Sequence, residues 1–379
     1  MKRILHVVNI YFTIPYFLGQ QLNYFANKGH KMHIVCSPSA ELRNNAAKYN
    51  YSYKEIAILR EIAILKDICA VIKTAIYIRK NKIDIVTGHT PKGGLIAMMA
   101  AFIAGVPNRI YFRHGLVYET SGGLKRFILK SLDRITATLS TKVICVSESV
   151  CKQSIIDGLN SEKKQALLRK GTCNGIDTNR FDKTKIKKER IIEFKRQTNI
   201  PEEAFVIGFT GRLVVDKGII ELVEAFNILQ RSNNNIYLLL VGMLEKRDAL
   251  PKEIIDIINN NPSIICTGYV DYNSIEYFYA MMDIFILPSY REGFPTSVLE
   301  ASSFSLPVVT TKATGCIDSI VENVTGIFVN HTASEISNAI ELLIHDQSKR
   351  ESLGRNGRDF VVNNFRQELI WKEIEKLYL

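Results

Sequence analysis

Short apolar runs alternate along the chain with longer stretches whose apolar residues recur at helical spacing. Short buried runs are typical of parallel strands, and the longer pattern is typical of helices that cover a sheet. The alternation therefore predicts an α/β protein with two parallel-sheet, Rossmann-like domains. The predicted strands are Arg3 to Val8, Met32 to Cys36, Ile83 to Thr87, Arg109 to Phe112, Lys142 to Val146, Phe205 to Thr210, Ile236 to Gly242, Ser263 to Thr267, Ile284 to Leu287, Val308 to Thr310 and Ile327 to Val329.

A turn and a charged stretch separate the two halves of the pattern. The turn is Asn174-Gly-Ile-Asp177, and residues 182–196 follow it as a plausible linker. A length of 379 residues suits two domains. We predict a first domain at 1–170, a second at 171–362, and a last helix at 363–379 that carries the only tryptophan, Trp371. The longest apolar stretch, Leu95 to Val106, is too short to span a bilayer.

Charge is divided unequally between the halves. Residues 1–168 contain 24 Lys and Arg against 10 Asp and Glu, a net charge of +14, whereas the whole chain has +11. The first half therefore suits an anionic partner that the second half does not share. Hydrophobic residues make up 46% of the chain and charged residues 23%, as in folded globular proteins. Seven cysteines without paired or zinc-type spacing indicate reduced thiols in a cytoplasmic protein.

The most informative segment contains two glutamates eight positions apart, Glu292 and Glu300, with Gly293, Phe294 and Pro295 between them. It follows a predicted strand, and a proline fits the first turn of a helix. The helix start would point free N–H groups into the crevice where open α/β sheets bind ligands, which suits a diphosphate. The Glu292 carboxylate would then contact the transferred group, and the Glu300 carboxylate would accept hydrogen bonds from the ribose hydroxyls of a nucleotide. Two such glutamates alone would more often be surface charges.

A second loop in the same half carries two cations. Gly208-Phe-Thr-Gly-Arg-Leu213 ends a predicted strand, and Asp216-Lys217-Gly218 precedes an apolar helix. Arg212 and Lys217 would lie at the same sheet edge as Glu292, where they could clamp a diphosphate. Solvated loop charges are the alternative interpretation. The G-x-G-x-x-G of nicotinamide-binding proteins is absent from the start of either half.

In the first half, two strand ends carry histidines. Tyr111-Phe-Arg-His-Gly115 exposes His114 at the sheet edge, and Gly88-His-Thr-Pro-Lys-Gly-Gly94 forms a strand-to-helix loop. That loop could hold an anionic acceptor through His89, Lys92 and backbone groups such as that of Gly93. Residues 123–140 form an amphipathic basic helix, which is either an ordinary core helix or a membrane-binding one. Nucleic acid is not expected, because no recognition motif accompanies the charge.

The segment from Pro288 to Pro307 resembles the E-x7-E motif of family 4 glycosyltransferases, which are retaining enzymes of the GT-B fold, with two Rossmann-like domains facing across a cleft. The resemblance implies that the last helix crosses back onto the first domain and that the base contacts the loop at Tyr269 and Val270. Its implied catalytic residues are Glu292, His114, Arg212 and Lys217. The implied donor-binding residues are Gly19, Arg212, Lys217, Tyr269, Val270, Gly293, Phe294, Pro295, Thr296 and Glu300.

The resemblance implies a retaining glycosyltransferase that moves a hexose or N-acetylhexosamine from a UDP-sugar to a polyprenyl-diphosphate-linked saccharide. The first half is most similar to enzymes of bacterial surface polysaccharide or glycan synthesis, including N-acetylgalactosaminyltransferases. No D-x-D sequence occurs, so we expect no metal and no other cofactor. The expected location is the cytoplasmic face of the membrane, held by the basic domain. Two alternatives remain: a UDP-sugar 2-epimerase of the same fold, and a non-catalytic nucleotide-sugar-binding or membrane-adaptor protein.

Overall fold

A computed structural model describes residues 1–245 and 248–379 of the chain. This part forms two compact units: unit 1 comprises Met1–Gly175 with Gln367–Leu379, and unit 2 comprises Ile176–Arg366. The domain boundaries predicted from the sequence lie after residues 170 and 362, within five residues of these junctions. Unit 2 begins and ends in a short parallel bridge between Ile176 and Arg366. The Ile176 N–H also donates to the carbonyl of Phe365 at 2.7 Å.

Unit 1 is built on a parallel sheet with the strand order β3-β2-β1-β4-β5-β6-β7. The central strands are continuous apolar runs that are buried on both faces, as expected for a sheet covered by helices. The strands are β1 (Arg3–Val7), β2 (Lys31–Cys36), β3 (Tyr51–Glu55), β4 (Ile85–Gly88), β5 (Asn108–Arg113), β6 (Lys142–Cys145) and β7 (Gln165–Leu167).

Helices cover both faces of this sheet. They are α1 (Thr13–Phe17), α2 (Gln21–Asn27), α3 (Ala40–Asn44), α4 (Ile64–Lys80), α5 (Pro91–Ala104), α6 (Gly123–Leu139) and α7 (Glu148–Ile156). Helix α5 packs between α4 and α6 and against β4. Gly94 permits the close approach of α5 to the sheet, because a Cβ atom there would lie 2.6 Å from the ring of Tyr111.

Unit 2 repeats this plan with the strand order β10-β9-β8-β11-β12-β13, again all parallel. Its strands are β8 (Phe205–Thr210), β9 (Ile236–Val241), β10 (Ile264–Cys266), β11 (Ile284–Leu287), β12 (Val308–Thr311) and β13 (Gly326–Val329). Its helices are α8 (Lys188–Gln197), α9 (Ile219–Gln230), α10 (Lys252–Asn260), α11 (Ile275–Met281), α12 (Thr296–Ser303), α13 (Ala333–His345) and α14 (Gln347–Asn364).

The last helix, α15 (Gln367–Tyr378), belongs to unit 1. The indole N–H of Trp371 donates to the side-chain oxygen of Asn174 at 2.9 Å, and the Trp371 ring lies 5.1 Å from that of Tyr24. Tyr378 packs edge-on against Phe25 at 4.9 Å. Aromatic burial of this kind stabilises the attachment of α15 to unit 1.

The prediction of two parallel-sheet α/β domains is confirmed. In each sheet successive strands are added toward one edge and then toward the other. The reversal lies between β1 and β4 in unit 1 and between β8 and β11 in unit 2. Open α/β sheets bind ligands outside the carboxyl ends of the strands at such reversals. Within residues 1–245 and 248–379, none of the helices combines the length and apolar character needed to span a bilayer. Over the same residues, no cluster of three or more His, Cys, Asp and Glu side chains could hold a metal ion.

Candidate active site

In unit 2 the loops after β8 and β11 meet at the reversal point. Lys217 lies in a single helical turn, Val215–Lys217, directly after β8. Gly218 follows it with φ +70°, and a Cβ atom there would lie 2.2 Å from the carbonyl oxygen of Pro288. Only glycine fits this close approach of the two loops. The approach brings Lys217 to Glu292, which follows β11.

Lys217 and Glu292 form an ion pair between the two loops. Their side chains are only 16% and 15% exposed, so water screens the pair weakly. Ser289 Oγ donates to Glu292 Oε1 at 3.0 Å, and the Glu292 backbone N–H donates to the Thr314 carbonyl at 2.9 Å. The position of the Glu292 side chain is therefore held by neighbouring groups.

Arg212 lies on the same loop as Lys217 but has a different partner. Its guanidinium pairs with Glu245 at 3.0 Å and is 44% exposed. The sequence predicts a diphosphate clamp from these two cations, and the structure places both at one sheet edge, each neutralised by a carboxylate. An incoming diphosphate would take the place of those carboxylates, because it offers more negative charge and more acceptor oxygens.

The predicted helix after Pro295 is α12, and none of the described side chains caps its start. Residues 293–296 form the loop between β11 and α12, so Gly293, Phe294, Pro295 and Thr296 lie beside Glu292 at this edge. The uncapped helix start keeps a partial positive charge at the site, which favours an anion.

Glu300 lies deeper than the sequence suggests. Its side chain is 3% exposed, and Glu300 Oε2 accepts a hydrogen bond from the Tyr279 hydroxyl at 2.8 Å. Burial raises the pKa of Glu300 to about 7, although the Tyr279 hydrogen bond and the charge of Arg180 oppose that rise. Near neutral pH this group is therefore partly a protonated acid, which can donate a hydrogen bond as well as accept one.

Tyr269 and Val270 follow β10, which is the edge strand of the unit 2 sheet. Two strands separate that edge from the reversal point beside β8. The Tyr269 side chain is exposed. The structure thus places the predicted base-contacting loop at the carboxyl edge of the sheet, as it does Lys217, but beside the outermost strand.

In unit 1 the residues of the predicted acceptor cradle contact other groups of the same unit. His89 is 1% exposed, and both ring nitrogens are hydrogen-bonded to other histidines. Lys92 Nζ pairs with Asp67 Oδ2 at 2.5 Å and donates to the Glu61 carbonyl at 2.8 Å. The Gly93 N–H is capped by Thr90 Oγ1 at 3.2 Å. These contacts connect α5 to α4 and hold the loop in place. The acceptor-binding role of His89, Lys92 and Gly93 stays a prediction.

His114 lies at the carboxyl edge of the unit 1 sheet. It follows β5 and is half-buried, with its ring stacked 3.8 Å from that of Phe17. Gly19, which also lies in the first loop of unit 1, has φ +44°. A Cβ atom at that position would lie 2.7 Å from the Pro15 carbonyl oxygen, so glycine is required by the turn itself.

Three site neighbours, Ser289, Tyr290 and His331, were not identified from the sequence. Ser289 contacts Glu292 directly, and Gly315 must be glycine because a Cβ atom there would lie 2.6 Å from the Glu292 carbonyl oxygen. Tyr290 stacks on His331 at 4.0 Å, and His331 hydrogen-bonds the Ser289 carbonyl. The Leu-Pro-Ser sequence at the end of β11 was the available signal for Ser289.

Comparison with known proteins identifies the two units separately. Residues 190–360 match the family Glycosyl transferases group 1, and residues 3–147 match Glycosyl transferase 4-like. The chain is 35% identical over 378 residues to the capsular polysaccharide biosynthesis glycosyltransferase CapM of Staphylococcus aureus, covering 100% of this chain and 97% of that protein.

Two further relatives act on lipid-linked sugars, according to their names. One is the Escherichia coli UDP-Gal:alpha-D-GlcNAc-diphosphoundecaprenol alpha-1,3-galactosyltransferase, 25% identical over 94% of this chain and 90% of the relative. The other is the Campylobacter jejuni N,N'-diacetylbacillosaminyl-diphospho-undecaprenol alpha-1,3-N-acetylgalactosaminyltransferase, 26% identical over 85% and 83%.

A solved structure shares the fold over its full length. Anabaena Alr3699/HepE, in complex with UDP-glucose, superimposes with a TM-score of 0.82 at 18% identity over 99% of each chain. The fold is thus the two-domain GT-B arrangement of glycosyltransferases. With both of its units matched and a relative aligned from end to end, the chain belongs to the group 1, family 4-like glycosyl transferases.

Proposed function

We propose that this protein transfers a hexose or N-acetylhexosamine from a UDP-sugar to a polyprenyl-diphosphate-linked saccharide, with retention of configuration, in bacterial surface polysaccharide synthesis. The observation that carries this proposal is the Lys217–Glu292 ion pair, held at the sheet reversal beside the uncapped start of α12. Relatives that use undecaprenol-diphosphate sugars support the acceptor class.

The ion pair supports a specific role for each partner. When the diphosphate of the donor binds Lys217 and the start of α12, it displaces the Glu292 carboxylate from the ammonium group. Glu292, still held by Ser289, is then available to accept hydrogen bonds from hydroxyls of the transferred sugar. On this proposal Glu292 positions the sugar and forms no covalent bond with it.

The chemistry proposed is a front-face displacement. The bond between the anomeric carbon and the UDP oxygen breaks, while a bond to the acceptor hydroxyl forms on the same face. The hydroxyl proton passes to an oxygen of the leaving diphosphate. Lys217, Arg212 and the α12 start stabilise the charge that develops on UDP, the role that a metal ion plays in other transferases. We therefore propose that no metal ion is needed.

Unit 1 carries a surface suited to the membrane that holds such an acceptor. Helices α4, α5 and α6 pack side by side and together contain nine Lys and Arg against two Asp. Both of those aspartates are paired, Asp67 with Lys92 and Asp133 with Arg113. The apolar side chains exposed on or beside these helices are Ile62, Ile64, Leu65, Ile68, Ile72, Ile76, Phe102, Ile103, Leu124, Phe127, Ile128 and Ile135.

The α4 part of this surface begins at the functional edge of unit 1. Helices that cross between parallel strands run opposite to them, so α4 starts at the carboxyl edge, where Lys92 contacts Glu61 and Asp67. Exposed isoleucines recur along α4 at Ile68, Ile72 and Ile76, one turn apart. An apolar stripe flanked by cations is the pattern of a helix that lies in the interface of an anionic bilayer.

Vesicle flotation tests the membrane proposal. We expect the protein to float with phosphatidylglycerol vesicles and not with pure phosphatidylcholine. The double substitution Ile68→Asp/Ile72→Asp should weaken binding at least about tenfold, because each isoleucine loses roughly 1.5 kcal/mol or more of apolar burial. Ile228→Asp, at an exposed isoleucine of unit 2, is the matched control and should float normally.

Two results would contradict that expectation. One is a wild-type protein that fails to float with anionic vesicles. The other is a wild-type dimer, measured by light scattering, that the double substitution converts to a monomer while flotation stays unchanged. The second result would assign the surface to a second copy of the chain.

The function itself is tested by UDP release from a panel of UDP-sugars, with and without bacterial lipid extract, in buffer containing EDTA. We expect release from one sugar, dependent on the lipid and indifferent to EDTA. No release under any condition would overturn the proposed donor or acceptor class. Restoration of activity only by added Mg²⁺ would overturn metal independence, and a converted but intact UDP-sugar would indicate an epimerase.

A further inference from the structure

Three histidines form a row beneath the functional edge of unit 1. They are carried by adjacent strands: His6 lies within β1, His89 follows β4, and His114 follows β5. His6 is fully buried, and it is aligned across the sheet with Thr87 of β4. The row leads from the interior of the sheet to the half-exposed ring of His114.

The three rings are hydrogen-bonded in sequence. His6 Nδ1 lies 3.2 Å from His89 Nε2, and His89 Nδ1 lies 3.0 Å from His114 Nε2. At the buried end, Thr87 Oγ1 lies 2.6 Å from His6 Nδ1 and 3.2 Å from the Leu5 carbonyl oxygen. This leaves two ring nitrogens that no other histidine of the row contacts, the buried Nε2 of His6 and Nδ1 of His114.

Aromatic rings enclose the row and keep it neutral. Phe112 stacks on His89 at 4.8 Å, and Phe17 stacks on His114 at 3.8 Å. Burial lowers the pKa of His6 and of His114 to about 3 and that of His89 well below its usual value. The neighbouring histidines lower the pKa of His89 further, because two adjacent rings cannot easily both be charged. Each ring therefore carries one N–H and one lone pair at neutral pH.

If all three rings are neutral, each carries one N–H, and only two placements of these hydrogens give both contacts between the histidines a donor and an acceptor. If the protons point inward, from His114 Nε2 to His89 Nδ1 and from His89 Nε2 to His6 Nδ1, then His6 carries its hydrogen on Nε2. That atom is buried and has no hydrogen-bond partner among the residues that the structure describes, so an N–H group would be orphaned there. If the protons point outward, His6 Nδ1–H is shared between His89 Nε2 and Thr87 Oγ1, and Thr87 donates to the Leu5 carbonyl. Only the lone pair on His6 Nε2 is then left unpaired. An orphaned buried N–H is the rarer arrangement in proteins.

We propose that His6 and His89 are positioning residues that hold His114 as its Nδ1–H tautomer, so that His114 serves sugar transfer as a neutral hydrogen-bond donor and not as a base. In this arrangement His114 Nε2 is occupied by the His89 N–H, and His114 Nδ1–H faces the substrate. An N–H donor favours a substrate oxygen, whereas a lone pair in its place would repel it. The proposal rests on the proposed function for the placement of His114 at the site.

The tautomer can be read directly by NMR on the full chain labelled with ¹⁵N-histidine. Long-range ¹⁵N–¹H correlations show which ring nitrogen carries the hydrogen, and single substitutions at His6, His89 and His114 assign three of the seven histidines. We expect hydrogen on Nδ1 in all three rings. A hydrogen on Nε2 of His114, or a charged His114 at neutral pH, would overturn the proposal whatever the enzyme's activity.

Kinetics test the consequence for transfer. An Asn side chain places its amide nitrogen near Nδ1 of the imidazole it replaces, and Gln places it near Nε2. His114→Asn should therefore retain at least tenfold more kcat than His114→Gln. His89→Phe keeps the aromatic stack but releases His114 Nε2, so it should change the His114 tautomer signal and lower kcat about tenfold.

These outcomes separate the inference from the proposed function. If His89→Phe changes neither the His114 signal nor kcat, the row does not position His114. If wild-type protein releases no UDP from any donor, the proposed function fails, while the NMR result still decides the tautomer. If Glu292→Gln abolishes release and all three histidine variants leave it unchanged, the function stands and the role of the row is refuted.

Discussion

Glu292→Gln is expected to reduce the rate of sugar transfer by about 10²- to 10³-fold, the range found when one preorganised polar contact to a transition state is removed. The amide keeps the shape of the side chain but loses the charge that orients the sugar hydroxyls. UDP should bind equally well or more tightly, because Lys217 no longer has a carboxylate partner for the diphosphate to displace. Steady-state UDP release and calorimetric UDP titration measure the two effects.

The control for this change is Glu322→Gln. Glu322 pairs with Lys312 in the same unit at 3.2 Å, but both side chains are about half exposed. The same chemical change there should leave turnover and UDP affinity within about twofold, since exposed ion pairs contribute little. Unchanged turnover of Glu292→Gln would remove Glu292 from the transfer step. A large loss of UDP affinity would show instead that the carboxylate acts in nucleotide binding.

Asp133→Ala is expected to lower the free energy of unfolding of unit 1 by about 3 to 5 kcal/mol. Arg113 is fully buried, and Asp133 is its charge partner at 2.6 Å. Asn160 accepts a further hydrogen bond from Arg113 at 2.8 Å but carries no charge. Removal of the carboxylate leaves a buried guanidinium uncompensated, which costs far more than the pair itself contributes.

The effect is measured by urea unfolding followed through fluorescence of Trp371, the only tryptophan, which lies in unit 1. The control is Glu148→Ala, which removes a partner of Lys152 from a pair that is 59% and 70% exposed. That change should cost less than about 1 kcal/mol. If Asp133→Ala and the wild type unfold at the same urea concentration, another group compensates the buried charge of Arg113 and the prediction is wrong.

The sequence predicts the strands well where burial dominates. All the predicted strands occur, because parallel strands covered on both faces must be continuous apolar runs. The two that were missed, Tyr51–Glu55 and Gln165–Leu167, are the outermost strands of the unit 1 sheet. Their partly polar sequences pair on one side only, so tertiary pairing and not apolar pattern determines them.

At the site, residue type and strand position were sufficient to predict that Lys217 and Glu292 lie at one edge of the sheet, because the carboxyl ends of parallel strands lie together. Sequence could not show which partner each charge takes. Lys92 is predicted to contact an anion, and only the structure shows that it pairs with Asp67, 25 residues away. His89 is predicted to contact the acceptor, and only the structure shows that its ring nitrogens contact two histidines from other strands. Such pairings depend on side-chain reach, which pattern alone does not encode.

The attachment of α15 has a consequence for synthesis on the ribosome. Unit 2 is a continuous segment, so it can fold as soon as residue 366 has left the exit tunnel, whereas unit 1 needs residues 367–379 to cover Tyr24 and Phe25. Domains generally fold as units in the order in which they emerge. Here the unit that is translated first is completed last, because the whole of unit 2 separates its sheet from α15 in the chain.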